Sequence, residues 1–272
     1  MLADMTIPVP WPKPPGLAAA LAGPSLWLTG WRQRAATASG LLDPWLPRAC
    51  ALCEAPVVQP RAGLCRHCRL ALPGRERPRC TRCGLGLTLE GACAACEASG
   101  FAFEAACVLA DYAPPLDRLI GALKFGGQFA AAEALGREMA VALRRFQAGA
   151  PSGRRPVDLV VAVPLSKARR QQRGYDQAQA IARALGRSSG IAHRPSLVRV
   201  RQTDPQTTLP RLARTLNLRD AFGPLAGRRL DGAHIALVDD VMTTGATLDA
   251  AARALRQAGA SRITAVVAAR TA

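Results

Sequence analysis

Eight of the nine cysteines in this 272-residue chain fall into four Cys-x-x-Cys pairs: Cys50/Cys53, Cys65/Cys68, Cys80/Cys83 and Cys93/Cys96. Gaps of 11, 11 and 9 residues separate them. The segment that holds them has too few large apolar side chains for a core of its own, so something else must order it. A two-residue spacing lets a tight turn aim two sulfurs at one ion, and two such turns complete a tetrahedral thiolate site for zinc. Gly84, directly after Cys83, suits the positive φ such a turn often demands. Eight thiolates make two closed, structural sites with no open coordination position, and metal would supply most of the segment's folding free energy. Spacing leaves the partition open. Consecutive tetrads (50, 53, 65, 68 and 80, 83, 93, 96) are simplest, and an interleaved arrangement is also available. His67 is a spare donor that four complete pairs leave unneeded. Thiol redox chemistry is the rival reading, but it uses one such pair at the start of a helix after a strand, a poor match to four pairs among Pro, Gly and Arg. Cys107, in the apolar run from Ala105 to Ala110, reads as a buried strand cysteine rather than a nucleophile.

From Phe101 onward, short apolar runs alternate with helical patterns. Phe103–Ala110 reads as a strand, ended by Pro114-Pro115, and Leu116–Phe125 and Phe129–Phe146 as helices joined at Gly126-Gly127. Gly149–Pro156 is a loop or linker, Val157–Val163 a buried strand, Asp176–Leu185 a helix and Leu197–Val200 another strand. His234–Val238 leads through a glycine turn into a helix from Thr247 to Gln257, and Arg262–Ala269 is the final strand. Continuous β-branched runs between helices predict an α/β domain whose parallel sheet is covered on both faces. Ligands of such sheets sit beyond the carboxyl ends of the strands. The chain divides into an extension over 1–40, the cysteine-rich segment over 41–100 and the α/β domain over 101–272.

The extension is expected to be poorly ordered. Its uncharged stretch, Pro14 to Trp31, is interrupted by Pro14, Pro15 and Pro24 and is shorter than the ~20 apolar residues a membrane span needs. The chain therefore reads as cytoplasmic, with no membrane span.

Thirty-six basic residues against 19 acidic ones give a formal net charge of +17. Only three of the 36 are lysines, and arginine excess beside abundant alanine partly reflects a GC-rich coding bias. Position is more telling than the total. Fourteen basic and three acidic residues lie between Arg154 and Arg219, a local excess of +11 that calls for phosphate, pyrophosphate or nucleic acid.

Two strand ends carry chemistry. In Ile235–Leu248, IALVDDVMTTGATL, an apolar strand delivers Asp239 and Asp240 to a loop of small hydroxyl residues that opens a helix. Backbone N–H groups at such a turn, with the hydroxyls of Thr243, Thr244 and Thr247, form a phosphate cradle at the positive helix end. Gly245 lets the backbone approach the ligand closely. A helix cap alone would explain Thr-Thr-Gly, but two carboxylates beside an anion site need a further partner, sugar hydroxyls or a metal ion. The second strand end is VPLSKARRQQRGYDQA, Val163 to Ala178, where Lys167, Arg169, Arg170 and Arg173 concentrate positive charge.

The first string resembles the ribose-5-phosphate signature of type I phosphoribosyltransferases. That resemblance implies that Asp239 and Asp240 bind the ribose hydroxyls of phosphoribosyl pyrophosphate. Thr243, Thr244, Gly245, Ala246 and Thr247 would hold its 5-phosphate. Lys167, Arg169, Arg170 and Arg173 would meet the magnesium-bound pyrophosphate.

The chain from about Leu41 is similar to the competence protein F (ComF, or GntX-like) family, which joins a double zinc ribbon to a phosphoribosyltransferase-like domain. The match begins at Leu46-Pro47-Arg48-Ala49-Cys50-Ala51-Leu52-Cys53 and continues in Lys124-Phe125, Val163-Pro164-Leu165 and Arg173-Gly174-Tyr175-Asp176-Gln177. It extends through Arg201-Gln202-Thr203-Asp204-Pro205-Gln206-Thr207, Arg214, Asn217 and Ala221-Phe222 to the Asp-Asp loop. Asp176 stands where the family usually has asparagine. It either weakens pyrophosphate binding or, as the better reading, caps the following helix.

The family implies a magnesium-dependent phosphoribosyltransferase of the glycosyltransferase class, associated with DNA uptake in natural transformation; no acceptor site is readable. The alternative is a non-catalytic competence factor that keeps the fold and docks single-stranded DNA or DNA-uptake proteins. Against a strand platform stands the lack of aromatics interleaved with the arginines in sequence. Tyr112, Phe125 and Tyr175 serve equally well as base-stacking or core residues.

Overall fold

Each cysteine pair sits in a tight turn closed by its own backbone. In the computed structural model, which describes residues 48–57, 63–87, 93, 96, 100–149, 155–200 and 220–271, strands β1 (Arg48–Ala49) and β2 (Pro56–Val57) pair antiparallel around the first turn. There the Cys50 N–H donates to the Ala55 carbonyl at 2.8 Å. Helix α1 (Arg66–Leu70) begins at the second pair, with Cys65 as its N-cap. The third turn repeats the first: Cys80 N–H donates to Leu85 O and Gly84 N–H to Cys80 O, both at 2.8 Å. Gly84 has φ +70°, as the turn requires. The 1–40 extension and most of Gly149–Pro156 lie outside the described residues.

The remaining elements follow in order: β3 (Ala105–Asp111), α2 (Leu116–Phe125), α3 (Phe129–Ala148), β4 (Leu159–Ala162), α4 (Lys167–Arg173), α5 (Gln177–Ser189) and β5 (Ala192–His193). Then come β6 (Leu197–Arg199), β7 (Phe222–Pro224), β8 (His234–Met242), α6 (Ala246–Gln257) and β9 (Arg262–Arg270). Five strands form one sheet in the order β3-β9-β8-β4-β5, every pair parallel. The expected α/β architecture is present. Strand alternation divides the core cleanly. Ala236 and Val238 face α2, α3 and α5, whereas Ile235 and Leu237 face α6.

Three details differ from the sequence reading. Leu197–Val200 does not join the parallel sheet: β6 pairs antiparallel with β7 as a separate two-stranded sheet on the α6 side. The stretch after β4, given no helix before Asp176 in the sequence reading, holds a short one capped by Ser166, whose Oγ accepts the Arg169 N–H. Strand β8 also continues past Val238 to Met242, because the longer β9 offers partners as far as Arg270.

The cysteine-rich segment lies along the sheet edge. β3 is an edge strand, and its outer backbone is met by Thr81 O, accepting from Ala106 N–H, and Pro73 O, accepting from Asp111 N–H, each at 2.8 Å. That cover removes an exposed ladder edge. Arg77 and Arg79 reach the Asp111 carboxylate at 3.0 and 2.8 Å. Cys50, Leu64, Cys68 and Leu72 share a core with Leu135 and Met139 of α3, while Cys80, Cys83, Cys93 and Cys96 belong to the α6-side core with Phe103 and Ala106. Glu138, only 3% exposed on α3, is met by Arg69 at 2.8 Å and Arg75 at 3.5 Å. A buried carboxylate without such partners would be strongly destabilising, so these arginines are a fixed clamp. The segment that cannot form a core alone thus uses the α/β domain's core. Cys107 lies fully inside β3, and burial pushes its thiol up to about 12, the state of an inert structural cysteine.

Candidate functional site

A cleft of about 950 Å³ opens at the carboxyl ends of β4 and β8. Its walls include Asp239 and Asp240 from β8, Val163 to Ser166 after β4, Arg169 and Arg173 from α4, and Thr243 and Thr247 from the loop and start of α6. The two strand ends singled out by sequence therefore face one space.

The carboxylates are held by the chain that carries them. Asp240 N–H donates to Asp239 Oδ1 at 2.9 Å, and Val241 N–H to Asp240 Oδ1 at 2.6 Å. Lys124 Nζ, from the last turn of α2, lies 3.1 Å from Asp240 Oδ2. Burial, and next the adjacent Asp240 charge, push the Asp239 carboxyl up to about 8, against weaker opposite pulls from the Asp240 N–H and Lys124. Sequence reasoning placed Lys124 only in a matching dipeptide; its rarity as one of three lysines among 36 basic residues is the signal that could have found it.

Gly245 turns the chain from strand to helix with φ +83°, and a Cβ there would fall 2.8 Å from Met242 Cε. A side chain there would be strained by the backbone and would have to displace the end of Met242. Thr244 Oγ1 accepts the Ala246 N–H at 3.3 Å, and α6 then begins, bringing the unpaired N–H groups and positive end of a helix to the cleft.

On the opposite wall, Lys167 and Arg170 do not line the cleft. Arg170 turns to Asp176, 3.5 Å away. Asp176 uses both carboxylate oxygens on backbone, accepting from Gln179 N–H at 3.1 Å and Leu165 N–H at 3.0 Å. An asparagine has one acceptor oxygen for these two donors, so the departure from the family pattern is a helix cap that also fixes the loop after β4. Among the described residues, only part of the +11 stretch lines the cleft. Arg155 pairs with Asp158, Arg187 pairs with Glu133, and Arg201 to Arg219 lie outside the described residues. Arg199 of β6 does line the cleft, a residue the motif reading passed over.

The aromatics separate into two kinds. Tyr175 packs, its hydroxyl donating to Leu123 O and its ring 5.0 Å from Phe129. Phe125 is 85% exposed, Phe129 63%, and the Arg173 guanidinium lies 5.7 Å from the Phe125 ring centroid. Core packing is ruled out for Phe125. Arg173, which lines the cleft, thus meets in space an aromatic ring distant from it in sequence.

The thiolates gather as consecutive tetrads: Cys50, Cys53, Cys65 and Cys68, then Cys80, Cys83, Cys93 and Cys96, with ligand atoms in each within 4.8 Å of one another. Neighbouring sulfurs lie 3.7 Å (Cys53–Cys65), 3.5 Å (Cys80–Cys96) and 3.7 Å (Cys83–Cys93) apart. Zn–S bonds of ~2.3 Å in a tetrahedron put sulfurs ~3.8 Å apart, whereas a disulfide needs ~2.05 Å. The donor sets fit two structural zinc ions and not a redox pair. No helix among the described residues is long and apolar enough to cross a membrane.

Comparison with known proteins agrees with both parts. The double zinc ribbon domain family matches residues 41–97, and the phosphoribosyl transferase domain family matches residues 167–272. DNA utilization protein YhgH of Escherichia coli K12 is 32% identical over 223 residues, 80% of this chain and 95% of that protein. Competence protein F of Haemophilus influenzae is 30% identical over 217 residues, 79% and 93% of the two chains. Competence protein ComFC of Bacillus subtilis is 37% identical over 101 residues, 37% and 39% of the two chains. Among solved structures, a glutamine phosphoribosylpyrophosphate amidotransferase from B. subtilis, complexed with ADP and GMP, matches at 20% identity and a TM-score of 0.33, over 50% of this chain and 25% of its own, a likeness too slight to bear on function.

Proposed function

The chain belongs to the competence protein F family, and from that premise we propose that its cleft binds phosphoribosyl pyrophosphate with magnesium and transfers the phosphoribosyl group. The carrying observation is the meeting, in one cleft, of Asp239-Asp240, the Thr243–Thr247 loop and the α4 arginines. In this reading the loop and the start of α6 take the 5-phosphate, and the carboxylates take the ribose hydroxyls. Arg169 and Arg173 meet the pyrophosphate, with Lys167 and Arg170 adding charge from outside the wall. The carboxylate oxygens are hard donors suited to magnesium, which when bound neutralises charge on the departing pyrophosphate. The bond from the ribose anomeric carbon to pyrophosphate breaks and a bond from that carbon to an acceptor nucleophile forms, with positive charge growing on the sugar between them, and the residues act by positioning and by charge. We place the protein in the cytoplasm, serving DNA uptake as its named relatives suggest.

Calorimetric titration with phosphoribosyl pyrophosphate and magnesium tests this reading. Asp239 keeps its proton until about pH 8, so a ligand that needs the carboxylate competes with protons below that value. Affinity is expected to rise roughly tenfold from pH 7 to pH 9 and level there. A flat profile would remove Asp239 from the binding groups, and no heat at any pH would end the proposal.

A second reading, a strand-docking competence factor, is favoured by Arg173 over the exposed Phe125. Base stacking on such a ring is worth about 1–3 kcal/mol per base. Affinity for a single-stranded oligonucleotide is expected to fall steeply with salt and about tenfold in Phe125→Ala. Salt-insensitive binding, or an unaffected variant, would remove this reading.

A further inference from the structure

We propose that Arg270 and the second cysteine tetrad hold the Met242–Gly245 loop in its ligand-binding shape, so that metal occupancy of that tetrad and ligand binding in the cleft are energetically coupled. The coupling rests on the proposed ligand reading of the cleft; the contacts beneath it do not.

Arg270 ends β9 and its guanidinium joins the Cys83 turn to the Met242–Thr243 backbone. Its Nε donates to the carbonyl of Cys83 at 3.2 Å. Its Nη1 donates to the carbonyls of Met242, at 3.3 Å, and Thr243. Thr271 N–H adds a bond to Met242 O at 3.1 Å. One planar cation thus ties the backbone of a metal ligand to the backbone of the phosphate loop. The Cys83 carbonyl is held in place by a turn whose sulfurs converge on Cys93 and Cys96, so its position depends on the tetrad's being closed.

The chain leaving the same tetrad makes a second, independent connection. The Phe101 ring lies against Gly245, 3.2 Å from where a Cβ would stand, and stacks on Phe103 with centroids 4.6 Å apart. Ala102 N–H donates to Asp249 Oδ1, in the first turn of α6, at 2.6 Å. Arg253 and Arg256 of the same helix reach back to the carbonyls of Gly100 and Ala102, both at 3.4 Å. Both sides of the second tetrad therefore grip the loop and the helix start, while the first tetrad packs against α3 on the other face of the sheet. An open second site frees the Cys83 turn, costs Arg270 an anchor and leaves the loop to be ordered at the expense of binding energy. Coupling of this kind is reciprocal, so bound ligand must tighten the metal by the same factor.

The test is equilibrium competition for zinc between the full, zinc-loaded chain and a chromogenic chelator, with and without phosphoribosyl pyrophosphate and excess magnesium. Wild type is expected to hold one of its two zinc equivalents about tenfold more tightly when the ligand is present, with the other unchanged. In Arg270→Gln that gain is expected to shrink to twofold or less, and Arg270→Lys, which keeps the charge but not the fork, to fall between them. Arg270→Lys carries the comparison if Arg270→Gln does not fold. Ligand that binds calorimetrically yet leaves both zinc affinities unchanged would overturn the coupling alone, as would equal tightening of both sites in wild type and variant. Ligand that does not bind wild type at all would overturn the reading of the cleft, and the coupling with it.

Discussion

Stripping the metal with a strong chelator is expected to lower the melting temperature by roughly 6–20 °C and to bring on aggregation. Apparent zinc-binding energies of small structural sites run about 10–16 kcal/mol, and that energy is folding energy where the apo segment has no core. Here the loss would not stay local. Cys50 and Cys68 lie in the same apolar cluster as Leu135 and Met139, and Thr81 and Pro73 cover the outer edge of β3. If a third of the metal's contribution reaches the sheet, about 3–5 kcal/mol at 2–4 °C per kcal/mol gives the stated shift. The uncovered edge strand would then pair between molecules. Cys68→Ser, which removes a buried ligand, is expected to reproduce the loss, whereas Cys107→Ser, outside both tetrads, should not release metal. Calorimetric melting alongside metal analysis, starting from about two zinc per chain, checks this. An apo protein that melts like the holo protein would contradict it.

Asp239→Asn combined with Asp240→Asn is expected to weaken phosphoribosyl pyrophosphate binding at least 100-fold, about 2.7 kcal/mol, without lowering the melting temperature. The substitutions keep shape, and an amide oxygen can still accept the Asp240 and Val241 N–H bonds. They also remove a carboxyl that burial and a like charge hold up at about 8, an arrangement poor for the ligand-free fold. Lys124 loses its partner but keeps access to water. Lost binding with an intact melt separates a ligand role from a structural one, and unchanged affinity would take both carboxylates out of the site. Titration calorimetry of the pair of proteins at pH 8.5 reads the difference.

Local chemistry made the chemical features legible in sequence. A Cys-x-x-Cys turn is decided within a few residues, and Gly245 after Thr243-Thr244 marks the strand-to-helix turn by its own positive φ. Asp176 as a cap was legible for the same reason, although its second bond, from Leu165, was not. What the sequence hid are meetings between distant elements. Lys124 reaches Asp240 because the last turn of α2 comes to the end of β8, and Arg270 matters because β9 ends between the Cys83 turn and the loop. The same holds for charge and aromatics. Arg170 and Arg187 count toward the basic stretch yet face Asp176 and Glu133, while Phe125, some fifty residues from Arg173, stands beneath its guanidinium. Element ends moved wherever a partner strand outlasted the local apolar run, as β9 does for β8.

The most direct measurement is a crystal structure of the zinc-loaded chain with phosphoribosyl pyrophosphate and magnesium. The expected result is the 5-phosphate at the Thr243–Thr247 loop, the ribose hydroxyls at Asp239 and Asp240, and the pyrophosphate beside Arg169 and Arg173. Ligand bound away from the Asp239-Asp240 cleft, or an empty cleft at saturating ligand, would contradict the account.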